Sequence, residues 1–591
     1  MKKLILLFTV VLFSISLNAQ RYKEMMDDLS VNFYDVCKEA DKYFETINKD
    51  QKGSGYKGYQ RWKYANEYKF YPSGQRDRID PYFVEHAFEA YLKNNPSQAN
   101  VKSLFNNGWE ELGPYVVDNI MGGYSAGLGR VEEIYVDPND PDRMYLGSRS
   151  GGFWKTTDGG VTWQGSTTDF LIASGVNAIA TPPGQPMNIL INVQNAKNGY
   201  SNGIYRSTDG GDSWTLTNFS PANVGYGGLG SNFKVFKIVY HPTVPNLVFI
   251  GTNKGLYWST DNLLTWTRLS KFKVTDLYSA EVTDIDFHPT DPDVIYALDT
   301  YYWNNNHNYV YTSTDQGQTF SESMEVAGNA GATGYLSVSP DCPNCVFFAS
   351  NNGIWKSTNQ GANFTFLINP GSECHGGFAV NDLDVDNMIY GYLDTEASTD
   401  GGVSFNQVTW WSLGNANNGP GSPQDNFLTT TAYVHADLRD AECVNGVFYV
   451  ATDGFLCKST DNGATWHYLS QGTAIRENYK LGVSQSNHYR SISGSQDCGT
   501  SIKQQSTWIE FYGGDGMEGI VHPLNDDWMI GSSQYGGRIR TKDGGQTQGG
   551  VNPAGQTGSG NGAWEAPLLY DPNNQMRVYH FSTIVNVSED F

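Results

Sequence analysis

Residues 152–163 read GFWKTTDGGVTW, and the second half of that stretch recurs along the chain. The phrase is Ser or Thr, any residue, Asp, any residue, Gly, two residues, then an aromatic. It stands as TTDGGVTW from Thr156, STDGGDSW from Ser207, STDQGQTF from Ser313, STDGGVSF from Ser398 and STDNGATW from Ser459, with looser copies from Ser259, Ser357 and Thr541. Each tight copy follows a short apolar run such as GGFWK or NGIYR, which reads as a strand, and the aromatic opens a second strand. The phrase therefore reads as a hairpin turn. The Asp accepts backbone N–H groups, the Gly supplies backbone angles that other residues resist, and the aromatic plugs the turn. On this reading Asp158, Asp209, Asp261, Asp315, Asp400, Asp461 and Asp543 are structural residues, because an active site needs one constellation and not a copy in every repeat.

The third position of the phrase falls at 158, 209, 261, 315, 359, 400 and 461, intervals that match a four-stranded propeller blade of roughly 40 to 50 residues plus loops. Upstream lies a second recurring pattern, two apolar strands joined by a Pro-bearing turn, as in RVEEIYVDPNDPDRMYLGS and VTDIDFHPTDPDVIYALD. The longer gap between 461 and 543 accommodates a blade without the phrase, with strands at YKLGVSQS, HYRSISGSQ, TSIKQQ and TWIEFY. APLLYDPNNQMRVYHF and TIVNVSED start one more. The expected fold is all-β: a multi-bladed propeller over 108–591 with nine full blades and a partial tenth, the chain being cut inside its last turn. No linker longer than its neighbours interrupts QGTAIRENYK, which favours a single ring over two.

Aromatic residues at 14% and 65 glycines suit short strands and many turns, and 17% charged residues argue against long solvated helices. A net charge of −23 disfavours nucleic acid, which requires clustered Lys and Arg, and is compatible with cations, basic ligands or neutral glycans. Residues 1–19 have the basic start, apolar middle and small-residue end of a secretory signal peptide, so the protein is expected to be secreted or at the cell surface, with no membrane span. Seven cysteines form no disulfide framework, although Cys342 and Cys345 could close a local loop, and no second pair supports zinc. Residues 20–107 carry helical spacing in MMDDLSVNFYDVCKEADKYFETI and PYFVEHAFEAYLKNN. The Lys-, Arg- and Tyr-rich KGSGYKGYQRWKYANEYKFYPSG joins them, either as a carbohydrate or partner surface or as a structural cap on the propeller edge.

These residues resemble a family. The repeated phrase is similar to the Asp-box, or BNR repeat, shared by sialidases, xyloglucanase-type glycoside hydrolases, photosystem assembly propellers and sortilin-type receptors. GWEELGPY, HADLRD, SQDCG and GGDGMEGIVHP, together with the first repeat, resemble the secreted sortilin-like propellers of Bacteroidetes, which often carry a C-terminal sorting domain for type IX secretion. Sortilin-type propellers have ten blades in one ring, whereas xyloglucanase-type enzymes have two seven-blade rings with a cleft between them. The resemblance implies a binding protein for a peptide, a glycan or a surface protein, and the alternative is a polysaccharide-cleaving glycoside hydrolase. The Arg-Ile-Pro motif of sialidases is absent, as is HExxH.

In a four-stranded meander the turns alternate between faces, so every repeated turn lies on one face and function is sought on the other. That face collects the ends of second strands and the starts of first strands: Arg130, Arg149, Asp299, Asp394, Glu396, His435, Asp437, Asp453, Gln496, Asp497 and Asp515. Arg130, Arg149, His435, Asp437, Asp453, Gln496, Asp497 and Asp515 are the ligand-binding candidates. His435, Asp437, Asp497 and Asp515 are expected to gather at the channel mouth of a monomer, where they would bind a ligand or act as acid and base on a glycosidic bond. No cofactor is expected, though the acids are compatible with a cation such as calcium.

Overall fold

The computed structural model describes residues 21–49, 51, 54–77, 83–94, 111–116, 126–165, 167–224, 232–269, 281–301, 307–321, 325–327, 334–411, 431–551 and 562–591. The signal-peptide reading lies outside them. Two compact units are present, one comprising essentially residues 1–93 and one the remainder.

The first unit holds helices Arg21–Asp27, Phe33–Phe44, Tyr56–Phe70 and Phe83–Asn94. Phe33, Phe44, Tyr59 and Phe70 form its core, and the Arg76 guanidinium stacks on Trp62 while donating to the Met25 carbonyl at 2.8 Å and the Asp28 carbonyl at 3.0 Å. Two of these helices lie where their spacing predicts. The third, Tyr56–Phe70, falls inside the segment read only as a connection, because its Gly58 and six aromatics obscure a helical pattern that burial of one face against the second helix makes stable.

The second unit is the propeller. Among the described residues it has ten antiparallel sheets, each taken from one continuous stretch of chain in sequence order. Eight sheets have four strands. The last has three, and the first has three with its fourth position reduced to one bridge between Lys155 and Gln164. Second strands such as Met144–Ser148, Val248–Thr252 and Val346–Ser350 are buried throughout because a neighbouring blade covers each face. Gly147 and Gly251 permit that approach, since a Cβ would stand 2.8 Å from the Val176 carbonyl and 2.5 Å from the Val282 carbonyl of the next blade.

The repeated turns behave as the sequence predicts and add one partner it did not reveal. The Thr156 hydroxyl donates to Asp158 Oδ1 at 2.7 Å, the Thr162 amide donates to the same oxygen at 2.9 Å, and the Thr162 hydroxyl donates to Oδ2 at 2.5 Å. Asp209, Asp261, Asp315, Asp400, Asp461 and Asp543 repeat this arrangement, and Asn359 supplies part of it. The seventh position of the phrase is thus a hydroxyl donor. The Ser404 hydroxyl and amide hold the Asp400 carboxyl down at about 2.

The ring closes earlier than expected. Val131, Ile134, Leu146 and Trp154 of the first blade share a core with Tyr449, Ala451 and Leu456 of the seventh. Across the same junction the Ile134 amide donates to Asp440 Oδ2 at 3.2 Å and Trp163 Nε1 donates to the Leu469 carbonyl at 2.6 Å. The first strands of blades one to seven line one central channel of about 840 Å³. A bulge near the start of several of these strands re-aims the next residue; Glu133, Lys237, Asp284 and Asp440 follow such bulges and face the channel, where Lys237 Nζ meets Glu133 at 3.4 Å. The single ring of ten is therefore corrected to a ring of seven, followed by a second array over strands Asn478–Val483 to Val585–Ser588. Linker length does not signal closure, because the connection is no longer where the seventh blade turns back onto the first than where a blade passes to its successor in the ring.

Asp461→Ala is expected to lower stability by about 1 kcal/mol at neutral pH, the three lost hydrogen bonds being discounted for their exposure to water. Burial acts to raise the Asp461 carboxyl, but the Thr465 and Ser459 hydrogen bonds outweigh it and leave it lowered. The contribution is therefore present above the ordinary carboxylate range and lost as pH falls through the lowered value. Urea unfolding at pH 7 and pH 2.5 checks it: the gap between parent and variant should shrink in acid.

Candidate active site at the seam of the two arrays

Four blades bring their non-turn ends together where the ring meets the second array. The first blade contributes Arg130, ahead of strand Val131–Val136, and Arg149, just after Met144–Ser148. The seventh contributes Asp437, ahead of Leu438–Val444, and Asp453, just after Val447–Thr452. Gln496 and Asp497 follow Arg490–Ser495 of the eighth, and Asp515 precedes Gly516–His522 of the ninth. Asp437 and Asp497 both have positive φ, 64° and 52°, a turn geometry that Asp tolerates better than most residues and that aims each side chain off its strand end.

Asp453 is the anchor of the site. Its side chain is 1% exposed, and Arg439 holds both of its oxygens, with Nε at 2.6 Å from Oδ1 and Nη2 on Oδ2. Arg130 Nε stands 3.4 Å from Oδ1 and 2.5 Å from Glu132, and Arg149 joins Glu132 at 3.3 Å. Burial acts to raise the Asp453 carboxyl, but the guanidiniums outweigh it, so this group stays ionised and lowered.

Asp497 is its opposite. Burial, then the charges of Asp453 and Asp515, push its carboxyl up to about 8. Asp437, Asp453 and Asp497 each present an oxygen within 4.8 Å of the others, so a protonated acid stands beside an ionised one. The Asp497 amide donates to Asp515 Oδ1 at 3.0 Å, and Gln496 Nε2 donates to Asp497 Oδ2 at 2.9 Å. Burial also raises Asp515. The three oxygens could face a cation, but Arg439 already occupies both oxygens of Asp453 and supplies the balancing charge.

Gln496 in turn meets the Tyr479 hydroxyl, which accepts from Trp564 Nε1 at 3.3 Å. Trp564 and Tyr535, 40% and 43% exposed, pack edge to face at 5.3 Å and leave an aromatic surface linked to the acids by this chain of hydrogen bonds. On the ring side, Tyr392 and His375 make a second aromatic pair, at 4.5 Å, near Asp437.

All eight candidates named from sequence therefore belong to one network, but not in one role. His435 is buried, with Nε2 3.1 Å from the Asp497 carbonyl and Nδ1 3.0 Å from the Ala436 carbonyl, so it holds the Asp497 loop and offers no free ligand nitrogen. Arg149 joins the network through its ion pair with Glu132. Asp299 and Asp394 lie outside the cluster: Asp299 is fully buried and accepts the Glu281 amide at 3.1 Å, while Asp394 accepts the Trp411 amide at 2.5 Å. Sequence reading missed Arg439, Glu132 and Tyr479. Arg439 stands inside the HADLRD segment, where an outward charge at a strand start was the available signal.

A profile described as sortilin, neurotensin receptor 3, matches residues 202–330. A xyloglucanase of a Paenibacillus species is 27% identical over 316 residues, 47% of this chain and 30% of its own length. A xyloglucanase of Acetivibrio thermocellus is 27% identical over 301 residues, 44% of this chain and 33% of its own. The chain thus matches about a third of the length of these curated relatives. The crystal structure of the GH74 xyloglucanase from Xanthomonas campestris superposes with a TM-score of 0.55 at 14% identity, covering 80% of this chain and 74% of that one, which shows a shared propeller fold.

Arg439→Met leaves Asp453 buried with Arg130 as its nearest cation and is expected to cost about 3–5 kcal/mol, whereas Arg439→Met with Asp453→Leu recovers most of that loss. Thermal unfolding of the two variants beside the parent checks it; equal losses in both would refute the clamp.

Proposed function

We propose that this protein is an exported glycoside hydrolase that cleaves a polysaccharide, with the seam of the two arrays as its active site. The observation that carries the reading is Asp497, a carboxyl raised by burial and by neighbouring carboxylates, beside Asp453, which guanidiniums keep ionised. A carboxylic acid that retains its proton at neutral pH is what protonation of a glycosidic oxygen requires. Asp437, partly exposed, 3.5 Å from Arg439 and with an oxygen within 4.8 Å of one of Asp497, is the second carboxylate, at a separation that suits attack on the anomeric carbon and leaves no room for an intervening water. Burial and then the fixed negative charge of Asp453 keep Asp497 protonated, and Asp515 orients the Asp497 backbone. The Trp564 and Tyr535 faces supply stacking surface for sugar rings. Relatives named as xyloglucanases support a β-glucan backbone as the substrate class.

The sortilin-type match over residues 202–330 favours a second reading, capture of a glycan or peptide at the same seam without cleavage. A reducing-end assay on xyloglucan and related glucans, beside retention in gels containing the same polymers, separates the two. Hydrolysis by the parent should fall by about 10²-fold or more in Asp497→Asn, the span of a lost general acid. Retention without sugar release, abolished in Asp497→Asn, would move the assignment to binding. The pH profile adds a sign: Asp497 lies above the ordinary carboxylate range, so the proton is present at neutral pH and lost as pH rises through about 8. Turnover should decline over that alkaline window, and a profile flat to pH 10 would exclude Asp497 as the donor.

A further inference from the structure

The helix Tyr56–Phe70 has two faces of different character. Tyr59, Trp62 and Phe70 pack into the helical unit, and the Tyr59 hydroxyl donates to Asp41 Oδ1 at 2.8 Å. The opposite row runs Lys57, Arg61, Tyr64, Tyr68 and then Tyr71 at the C-cap, a spacing of four, three, four and three that puts all five on one side. Every member is exposed, with Tyr64 at 85% and Tyr68 and Tyr71 at 74% each. Three aromatic side chains this bare on one stripe are unusual for a surface whose remaining purpose is solvation.

The row has no aliphatic residue, which a helix seated in a protein groove uses for anchoring. It offers flat rings with hydroxyls over about 10 Å of helix axis, the reach of a few linked sugar rings. Two cations stand at one end, and Lys69 adds a third beside Tyr68 at 5.9 Å. The helix carries Lys57, Arg61 and Lys69 against Glu67, with Lys63 paired to Asp41 at 3.6 Å, in a chain of net charge −23. A positive island on an acidic protein selects an anionic ligand, and its sparse cations suit a polymer with occasional charges better than the dense phosphates of nucleic acid.

We propose that the stripe Lys57, Arg61, Tyr64, Tyr68 and Tyr71 is a docking surface for a polysaccharide that carries occasional uronate groups, with the tyrosines stacking on sugar rings and the cations pairing with carboxylates. It holds the protein on an insoluble or polymeric glycan.

Glucuronoxylan, and the same polymer after reduction of its carboxyl groups, are the probes, with the full chain tested by affinity electrophoresis. The parent should be retained by glucuronoxylan, and Tyr64→Ala with Tyr68→Ala should weaken retention at least about tenfold. Lys57→Gln with Arg61→Gln should weaken retention by glucuronoxylan and leave that by the reduced polymer unchanged. Asp497→Asn should be retained like the parent, which keeps failure of the active-site reading distinct from failure of this one. All substituted stripe side chains are exposed, so unfolding temperatures should match the parent. Absence of retention in the parent, retention indifferent to the tyrosine pair, or equal retention by single-stranded DNA would overturn the proposal.

Discussion

The packing of the first blade onto the seventh is the contact on which the rest of the propeller depends. Each blade can bury only its own two faces against neighbours, so an open array leaves an apolar face at either end. Here Val131, Ile134, Leu146 and Trp154 meet Tyr449, Ala451 and Leu456, and the ring is sealed. Once it is sealed, the chain leaves the seventh blade next to the first. Arg476 spans this point, 2.7 Å from Glu510 of the eighth blade and bonded to the Gly127 carbonyl ahead of the first. Closure therefore fixes where the second array starts, and with it the neighbours of every acid at the seam.

The electrostatics of the seam follow from that juxtaposition. Burial acts to raise the Asp453 carboxyl, yet Arg439 is bonded to both of its oxygens and keeps it charged. That charge, inside a site shielded from water, works against ionisation of Asp497 from the eighth blade. Burial works to raise both carboxyls, and they separate into a fixed anion and a proton carrier because guanidiniums offset burial at Asp453 while neighbouring acids add to it at Asp497. The ring channel shows the same physics with a different outcome: there burial pushes Glu442 up to about 8 while Lys237 serves acids from several blades.

Local chemistry was legible and long-range juxtaposition was not. Asp158 and its counterparts could be read as turn-formers because their partners lie within four residues, although the seventh-position hydroxyl, Thr162 in the first turn, escaped notice beside the more conspicuous Gly and Trp. Helix Tyr56–Phe70 reads as a connection in the sequence because its stability comes from Phe33 and Phe44 on another helix. At the seam, Asp437, Asp453, Asp497 and Asp515 were found by strand-end logic alone, while the same logic admitted Asp299 and Asp394, which cap local backbone. His435 is a ligand-binding candidate by sequence, and its ring instead braces the Asp497 carbonyl.

The sequence by itself determined the blade, its repeated turn and the face on which strand-end polar groups collect, because these depend on strand alternation and on hydrogen bonds spanning a few residues. Only the tertiary structure decided that the ring closes at seven, that the eighth and ninth blades turn their acids toward the first and seventh, and that Arg439 makes Asp453 and Asp497 chemically different. Those outcomes rest on surface complementarity and on charges brought together across hundreds of residues, and no spacing in a linear chain encodes either.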